Sequence, residues 1–402
     1  MKEIAKSQRL ENVRYEVRGP LELEAAAMEK AGEKVCKLNI GNPALFGLVP
    51  GEETLRNFSG CAPSALAYSE YRGTEAAREA ILKYSLKKKL PNVKEENIFT
   101  GNGVSELIEI ALDALLNPGD EVLVPSPDYP LWTASVTFAG GRAVHYLCDE
   151  GSDWYPDLQD MEEKITARTK AIVIINPNNP TGANYPEEIL LGIAEIARRH
   201  NLIIFSDEIY DRLLFEEEHT SIAALAPDVL CVTMNGLSKS HMLCGYRVGW
   251  MVFSGAVEGA GSYIEGINML CSMRLCSNVP GQAVIAPCLE GRGRVEEYFL
   301  EGGRIRSQVS RACSLLNEIP GLSCQMAKAA FYLFPKIDSS VYKIKDDREF
   351  AVNLLRDRKI LIVPGSGFNW QAPDHFRIVC LPEEEILASA IEAIGEHLKN
   401  YR

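Results

Sequence analysis

The feature of this sequence that most limits its fold is an alternation of short apolar runs with longer helical patterns in the middle of the chain. Four β-branched runs are predicted to be strands that are buried on both faces. They cover residues 121–125, 171–175, 202–206 and 229–234. Between them, residues 186–200 place acidic side chains early and basic ones late, which favours a helix. This alternation predicts an α/β fold with a mostly parallel central sheet covered by helices.

The sequence changes character after about residue 285 and there predicts a smaller α+β domain. The predicted elements are a charged helical stretch at 292–316, short strands near 330–335 and 361–363, and a helical tail at 383–398. We therefore predict three parts along the chain. They are an N-terminal segment over 1–45 that contributes to the small domain and covers the expected ligand site, a large domain over 46–285 that carries this site, and a small domain over 286–402.

Composition narrows the class of protein and its compartment. The 402 residues carry a formal net charge of −13 with acids and bases interspersed, which argues against a nucleic-acid surface. The 11 cysteines show no zinc-binding spacing and indicate reduced thiols in a cytoplasmic protein. No apolar stretch reaches the length of a membrane span, and the first residues do not resemble a signal peptide. We expect no metal, nucleic-acid or membrane partner.

Three unusual polar segments directly follow three of the predicted strands. They are Asn176–Gly182, Asp207–Tyr210 and Asn235–Lys239, with Arg247 eight residues beyond the lysine. Taken singly, they can be interpreted as a turn, a helix cap and a surface lysine. Open α/β sheets, however, bind ligands beyond the carboxyl ends of their strands.

Together, these segments supply the groups that pyridoxal phosphate (PLP) requires. The amine of Lys239 can form an imine with the aldehyde of that cofactor. A buried carboxylate, here Asp207, keeps a pyridine nitrogen protonated. Asn179 and Tyr210 can donate hydrogen bonds to a phenolate oxygen.

A phosphate group requires a cation and further donors. Arg247 and Ser238 fit these roles. Upstream, the turn formed by Gly103, Val104 and Ser105 opens an apolar helical pattern, and a glycine-containing turn at a helix N-terminus can hold a phosphate. An ordinary helix start remains the alternative for this turn.

The residues quoted above resemble those of fold-type I PLP-dependent aminotransferases over nearly the whole chain. Asn-Pro-Thr-Gly, Asp-x-x-Tyr, Ser-Lys and the following arginine occur in the family's order and spacing. Within that family, the sequence is most similar to bacterial alanine (glutamate–pyruvate) aminotransferases. The stretches that carry this finer similarity are 101–108, 127–132, 174–182 and 235–239.

The resemblance implies a role for each matching residue. Lys239 would be both the Schiff-base lysine and the proton shuttle, and Tyr129 would stack on the cofactor ring. Arg377 would bind the substrate α-carboxylate as a two-pronged pair, assisted by Asn179 and the backbone of Gly41.

The family also implies a homodimer with shared active sites. Tyr68, five residues before Gly73, matches the tyrosine that reaches the partner's phosphate, and Tyr71 is the alternative. Arg18 is the candidate for a substrate's side-chain carboxylate. His241 stands where the family pattern differs and contributes either packing or a local contact.

The expected activity is therefore ping-pong transfer of an amino group between an L-amino acid, with alanine favoured, and a 2-oxo acid, 2-oxoglutarate or pyruvate. Three other possibilities stay open. An aminotransferase with another specificity and a PLP-dependent lyase would use the same residues. A regulator with an aminotransferase-like sensor domain would need a DNA-binding module, for which this acidic chain shows no pattern.

Overall fold

The computed structural model describes residues 4–11, 13, 15, 19–60, 65–216, 218–291 and 295–402. The strands are β1 Cys36–Lys37, β2 Ile98–Gly101, β3 Glu121–Ser126, β4 Arg142–Asp149, β5 Tyr155–Pro156, β6 Thr169–Ile175, β7 Ile203–Asp207, β8 Leu230–Gly236, β9 Gly249–Gly255, β10 Leu322–Ser323, β11 Tyr332–Leu333, β12 Lys336–Ile337, β13 Ile360–Leu361, β14 Val363–Pro364 and β15 Phe376–Val379. The helices are α1 Pro20–Lys30, α2 Glu52–Gly60, α3 Glu75–Lys87, α4 Val104–Leu115, α5 Leu131–Phe138, α6 Leu158–Glu163, α7 Glu187–His200, α8 Ile222–Leu225, α9 Leu237–Ser240, α10 Gly261–Met273, α11 Val279–Gln282, α12 Ile285–Glu290, α13 Arg304–Glu318, α14 Asp347–Arg358 and α15 Glu384–Leu398.

The central feature is an eight-stranded sheet with the order β2-β9-β8-β7-β6-β3-β4-β5. Strands β8, β7, β6, β3 and β4 run parallel to one another, and β9 and β5 run antiparallel to their neighbours. The four strands predicted from the sequence correspond to β3, β6, β7 and β8. The mostly parallel α/β sheet is therefore confirmed.

Strand β6 shows why these apolar runs form the centre of the sheet. Because side chains alternate along a strand, Ile172 and Ile174 enter the apolar core on one face of the sheet, whereas Val173 and Ile175 enter the core on the other face. Helix α7 packs on the first face and α4 on the second. Each side chain buried in this way contributes roughly 1.5–3 kcal/mol.

A further apolar core joins the N-terminal segment to the C-terminal part of the chain. Strand β1 pairs in parallel with β13, and Leu38 packs in the same core as helices α13 and α15. The predicted charged helix at 292–316 is wrong over 295–303, because α13 begins at Arg304; residues 292–294 lie outside the described residues. Gly302 has φ +76°, in the left-handed region, and the chain forms only a 3-10 turn over Glu296–Tyr298 before it. The domain limits at residues 45 and 285 stay predictions.

A close contact between two backbones fixes the turn that precedes α4. Gly249 in β9 lies directly behind this turn, and a Cβ atom at Gly249 would lie 2.5 Å from the Val104 nitrogen and 2.7 Å from the Gly103 carbonyl carbon. Backbone atoms cannot move aside as the end of a flexible side chain can. The absence of a side chain at Gly249 therefore determines where the turn lies.

We predict that Gly249→Ala destabilises the fold by about 1–3 kcal/mol, the usual cost of overpacking. The measurement is the free energy of unfolding by denaturant, with Gly259→Ala as the control, because a Cβ atom at Gly259 would meet no atom within 4 Å. Equal stability of the two variants would contradict the contact described above.

Candidate active site

The polar segments predicted from the sequence meet at one edge of the central sheet. Strands β6, β7 and β8 are parallel neighbours, and Asp207 pairs with Ile175 on one side and Met234 on the other. Beyond their carboxyl ends lies a cavity of about 600 Å³. The predicted residues that line it are Gly41, Val104, Ser105, Tyr129, Asn179, Asp207, Tyr210, Ser238, Lys239, Arg247 and Arg377.

Lys239 lies in the short helix α9, immediately after β8. Its Nζ atom donates a hydrogen bond to the carbonyl oxygen of Gly41 at 2.5 Å and lies 3.7 Å from Cys244 Sγ. Gly41 belongs to the N-terminal segment, and a Cβ atom there would collide with the Tyr332 hydroxyl at 2.3 Å. The N-terminal segment therefore passes directly over the amine.

Asp207 is a buried carboxylate at the end of β7. Its Oδ2 accepts a hydrogen bond from Trp132 Nε1 at 3.2 Å, and its Oδ1 accepts one from the backbone nitrogen of Ile209 at 3.3 Å. Burial raises the pKa of Asp207 to about 6, although these two donors oppose the rise. A cationic partner in the cavity would therefore stabilise the charged form of this carboxyl group.

Arg377, in β15, is 2% exposed and lies between two aromatic rings. Its Cζ atom lies 4.6 Å from the ring centre of Tyr332 and 4.7 Å from that of Phe368. Nη1 donates to Asn179 Oδ1 at 3.0 Å, Nη2 donates to the carbonyl of Asn39, and Nε has no hydrogen-bond partner among the described residues. Burial lowers the pKa of this guanidinium. A buried, aromatic-flanked arginine that has no carboxylate partner among the described residues can receive an anion.

Two pairs of tyrosine hydroxyls border the same cavity. The hydroxyls of Tyr129 and Tyr15 lie 2.8 Å apart, and those of Tyr210 and Tyr332 also lie 2.8 Å apart. Burial raises the pKa of Tyr129 and of Tyr210 well above the ordinary value, so both remain protonated donors at neutral pH. Tyr15 brings the N-terminal segment into the site.

At another part of the cavity wall, Ser105, Ser238 and Arg247 provide hydrogen-bond donors. Arg247 donates to the carbonyl oxygens of Cys244 at 3.0 Å and of Asn102 at 3.3 Å. Gly103 does not line the cavity, but a Cβ atom there would lie 2.2 Å from Arg247 Nη2. The glycine leaves room for the guanidinium beside the N-terminus of α4.

Three residues considered in the sequence analysis, Tyr68, Tyr71 and His241, do not line this cavity within one chain. Tyr68 is 78% exposed, and Tyr71 packs against the core of the sheet. Arg18 lies outside the described residues.

His241 is buried and directly follows α9. Its ring nitrogens lie 2.8 Å from Ser240 Oγ and 2.9 Å from the Cys288 carbonyl oxygen. Burial lowers the pKa of His241 to about 4, so its imidazole is neutral at pH 7.

Several residues of the site were not predicted. Trp132, Tyr332 and Phe368 contact Asp207 or Arg377, and Tyr15 reaches Tyr129. Trp132 had a usable signal, because it follows Tyr129 by three residues at the start of a helical pattern. The two rings beside Arg377 lie 45 and nine residues before it in the sequence, and no local pattern connects either ring with the arginine.

Comparisons with known proteins show which family this fold and sequence belong to. The family model for aminotransferase class I and II matches residues 33–394. The chain is 52% identical to the glutamate-pyruvate aminotransferase AlaA of Escherichia coli K12, which covers all of this chain and 99% of the relative. It is 50% identical to the alanine aminotransferase of Mycobacterium tuberculosis H37Rv, over 99% of this chain and 93% of the relative. A crystal structure of an aminotransferase from Escherichia coli superposes with a TM-score of 0.98 at 51% identity, covering 100% of this chain and 99% of that chain.

The fold is thus that of a fold-type I transferase. The chain belongs to the aminotransferase class I and II family, and it is an enzyme of amino-group transfer.

Directly before Tyr129 lies a second buried acid, Asp128. It is 0% exposed and accepts hydrogen bonds from Thr133 Oγ1 at 2.6 Å and Asn369 Nδ2 at 2.8 Å. The nearest imidazole, that of His145, has its own pKa lowered to about 4 by burial and is neutral at pH 7. Burial raises the pKa of Asp128 to about 7, although the hydrogen bonds from Thr133 and Asn369 oppose the rise.

We predict that Asp128 makes folding pH-dependent and that Asp128→Asn removes this dependence. The folded pKa is raised above the ordinary value of 3.8, so the protonated carboxyl stabilises the fold fully below that value. This stability is lost as the pH rises through about 7. The free energy of unfolding of the wild type should therefore fall relative to the variant by about 1 kcal/mol per pH unit between pH 5 and 7.

The control is Asp153→Asn, because the carboxylate of Asp153 is 58% exposed. Parallel pH curves for wild type and Asp128→Asn would disprove the assignment.

Proposed function

We propose that this aminotransferase uses PLP bound through Lys239 and exchanges the amino group of L-alanine with a 2-oxo acid, 2-oxoglutarate or pyruvate. The observation that carries the proposal is the convergence of Lys239, Asp207 and Arg377 on one cavity. The alanine preference is supported by the names of relatives that are 50% and 52% identical over essentially the full chain.

The cavity offers the groups that PLP needs. Asp207 has a raised pKa and no cation in hydrogen-bond contact among the described residues, and it would hold the proton of the pyridine nitrogen. Ser105, Ser238 and Arg247 would hold the phosphate. Val104 lies at the N-terminus of α4 beside them, and Gly103 leaves space for Arg247.

The ring of the cofactor would have its own contacts. Tyr129 would stack on this ring, and Asn179 and Tyr210 would donate to its phenolate oxygen.

When bound, PLP supplies an aldehyde for the substrate amine and an electron-poor ring that stabilises negative charge at the substrate Cα. The chain's own residues supply the proton transfers. Lys239 lines the cavity, and its Nζ is the group that we assign to removing the substrate's Cα proton and that would return this proton in the following step. Asp207, held by Trp132 and the Ile209 amide, would supply a negative charge for the protonated pyridine nitrogen during both steps.

Arg377 would bind the substrate α-carboxylate. Its contact with Asn179 and its aromatic neighbours hold the guanidinium in one orientation. Two of its N–H groups would then donate to the two oxygens of the carboxylate. Gly41 would contribute its backbone beside it. We keep Arg18 as the proposed partner for the side-chain carboxylate of glutamate, since Tyr15 of the same segment already lines the cavity.

We further propose a homodimer in which Tyr68 of each chain reaches the phosphate site of its partner. Tyr68 is 78% exposed and Leu66 is 89% exposed, so both side chains are available for a contact with a second copy. Tyr71 is packed against its own sheet and is the weaker candidate.

We also propose a cytoplasmic location. The described cysteines are all free, as expected in a reducing compartment. Among the described helices, none has both the length and the apolar character needed to cross a membrane.

The direct test of the function is the absorption spectrum of the PLP-loaded protein before and after L-alanine is added without a 2-oxo acid. We expect the visible band to convert to the near-ultraviolet pyridoxamine band, and we expect Lys239→Ala to show no conversion because the proton-transferring amine is gone. Conversion with glutamate but not with alanine would reject the alanine preference. A wild-type protein that binds no PLP would reject the proposal as a whole.

A second prediction concerns the substrate carboxylate. Arg377→Ala should lower kcat/KM for L-alanine by a factor that corresponds to about 3–5 kcal/mol, because a buried carboxylate loses its partner. Arg377→Lys keeps the charge without the two-pronged geometry and should fall between wild type and Arg377→Ala. Steady-state kinetics decides, and near-normal efficiency of Arg377→Ala would exclude this residue as the carboxylate site.

A further inference from the structure

A cluster of three buried charges lies behind the cavity wall. Lys88, the residue directly after α3, places its Nζ atom 2.5 Å from Glu208 Oε2 and 2.5 Å from Asp211 Oδ2. The two carboxylate side chains are 1% and 2% exposed, and the lysine is 14% exposed. We call these three residues the buried ion cluster.

The buried ion cluster connects the two segments that carry the proposed cofactor contacts. Asp211 Oδ2 also accepts a hydrogen bond from Asn235 Nδ2 at 2.8 Å, and Asn235 lies four residues before Lys239 in the sequence. Glu208 Oε1 accepts hydrogen bonds from Ser206 in β7 at 2.9 Å and from Ser221 at 2.6 Å. The cluster therefore ties the end of β7 to the end of β8.

Side chains of the 207–211 segment face in two directions. Asp207 and Tyr210 line the cavity, whereas Glu208 and Asp211 face away from it and meet Lys88. The segment is thus held from the side opposite the proposed cofactor. A shift of Glu208 or Asp211 would be passed along one or two peptide units to Asp207 and Tyr210.

The ammonium group of Lys88 supplies the positive charge for a group of side chains that could otherwise hold a metal ion. The ligand atoms of Glu208, Asp211 and His219 lie within 4.8 Å of one another, a spacing that could hold a metal ion. The ammonium group already contacts both carboxylates at 2.5 Å. Burial alone would lower the pKa of Lys88, but Asp211 and Glu208 outweigh burial and raise it, so the lysine stays charged.

We propose that Lys88 is a positioning residue for transamination, because it holds the 207–211 segment against the end of β8 and thereby sets where Asp207 and Tyr210 lie relative to Lys239. The inference rests on the proposed function. It predicts an effect chiefly on the reacting centre, since Arg377 and Asn179, which lie on other elements, make no hydrogen bond to Lys88 among the described residues.

The test compares Lys88→Met with Lys87→Met in the PLP-loaded enzyme. Both variants lose one lysine charge at the end of α3, but Lys87 is exposed. For Lys88→Met we expect kcat with L-alanine to fall at least about tenfold, because small misplacements of reacting groups are costly. KM should change less than about twofold, and the visible circular dichroism of the bound cofactor should change because its ring is held differently. Lys87→Met should match the wild type in all three readouts.

The outcomes separate the inference from the proposed function. If the wild type binds no PLP, the proposed function fails. If the wild type reacts and a folded Lys88→Met variant keeps its kcat and visible circular dichroism, the positioning role is wrong.

If Lys88→Met fails to fold, Asp211→Asn is the variant to measure, because it keeps the size of the side chain and removes one charge of the buried ion cluster. A lower kcat with unchanged KM in Asp211→Asn supports the proposal, and an unchanged kcat overturns it.

Discussion

The parallel pairing of β6, β7 and β8 is the constraint on which the rest of the site depends. Because the three strands run in the same direction and in register, the polar segments that follow them leave the sheet side by side. Asn179, Asp207 and Lys239 thereby reach one cavity although they are far apart in the sequence. The β-branched runs that form these strands are also what buries the sheet on both faces, so stability and site geometry have a common origin.

Electrostatics adds the second requirement of the site. Asp207 and Arg377 are both buried and both have pKa values shifted toward the neutral form by burial. Each would be stabilised by an opposite charge inside the cavity, Asp207 by a cation and Arg377 by an anion. A cofactor with a protonated ring nitrogen and a substrate with a carboxylate would satisfy the two residues together, which is why we interpret the cavity as one site.

The sequence predicted the parts of the fold that depend on local patterns. Strands β3, β6, β7 and β8 are continuous apolar runs, and α7 has its charges in the order of the helix dipole, so these elements lie within two residues of their predicted positions. The start of α13 was mispredicted because the charged pattern before Arg304 continues through Gly302 and Gly303, where the backbone is not yet helical.

The candidate site was predictable where a residue follows a strand and not where contacts come from distant segments. Lys88 illustrates the limit, because in the sequence it is the middle of three consecutive lysines and resembles a solvated helix end. Only the folded chain places its ammonium group against Glu208 and Asp211. The aromatic rings of Tyr332 and Phe368 around Arg377 are likewise a tertiary feature.

The central claim is that Lys239 is the residue that binds the cofactor. Reduction of the PLP-loaded protein with borohydride, followed by proteolysis and peptide mass spectrometry, tests it directly, because reduction makes the lysine–cofactor bond permanent. The account predicts that the phosphopyridoxyl mass is found on the peptide that contains Lys239. Finding it on another lysine, or on no peptide at all, would contradict the account.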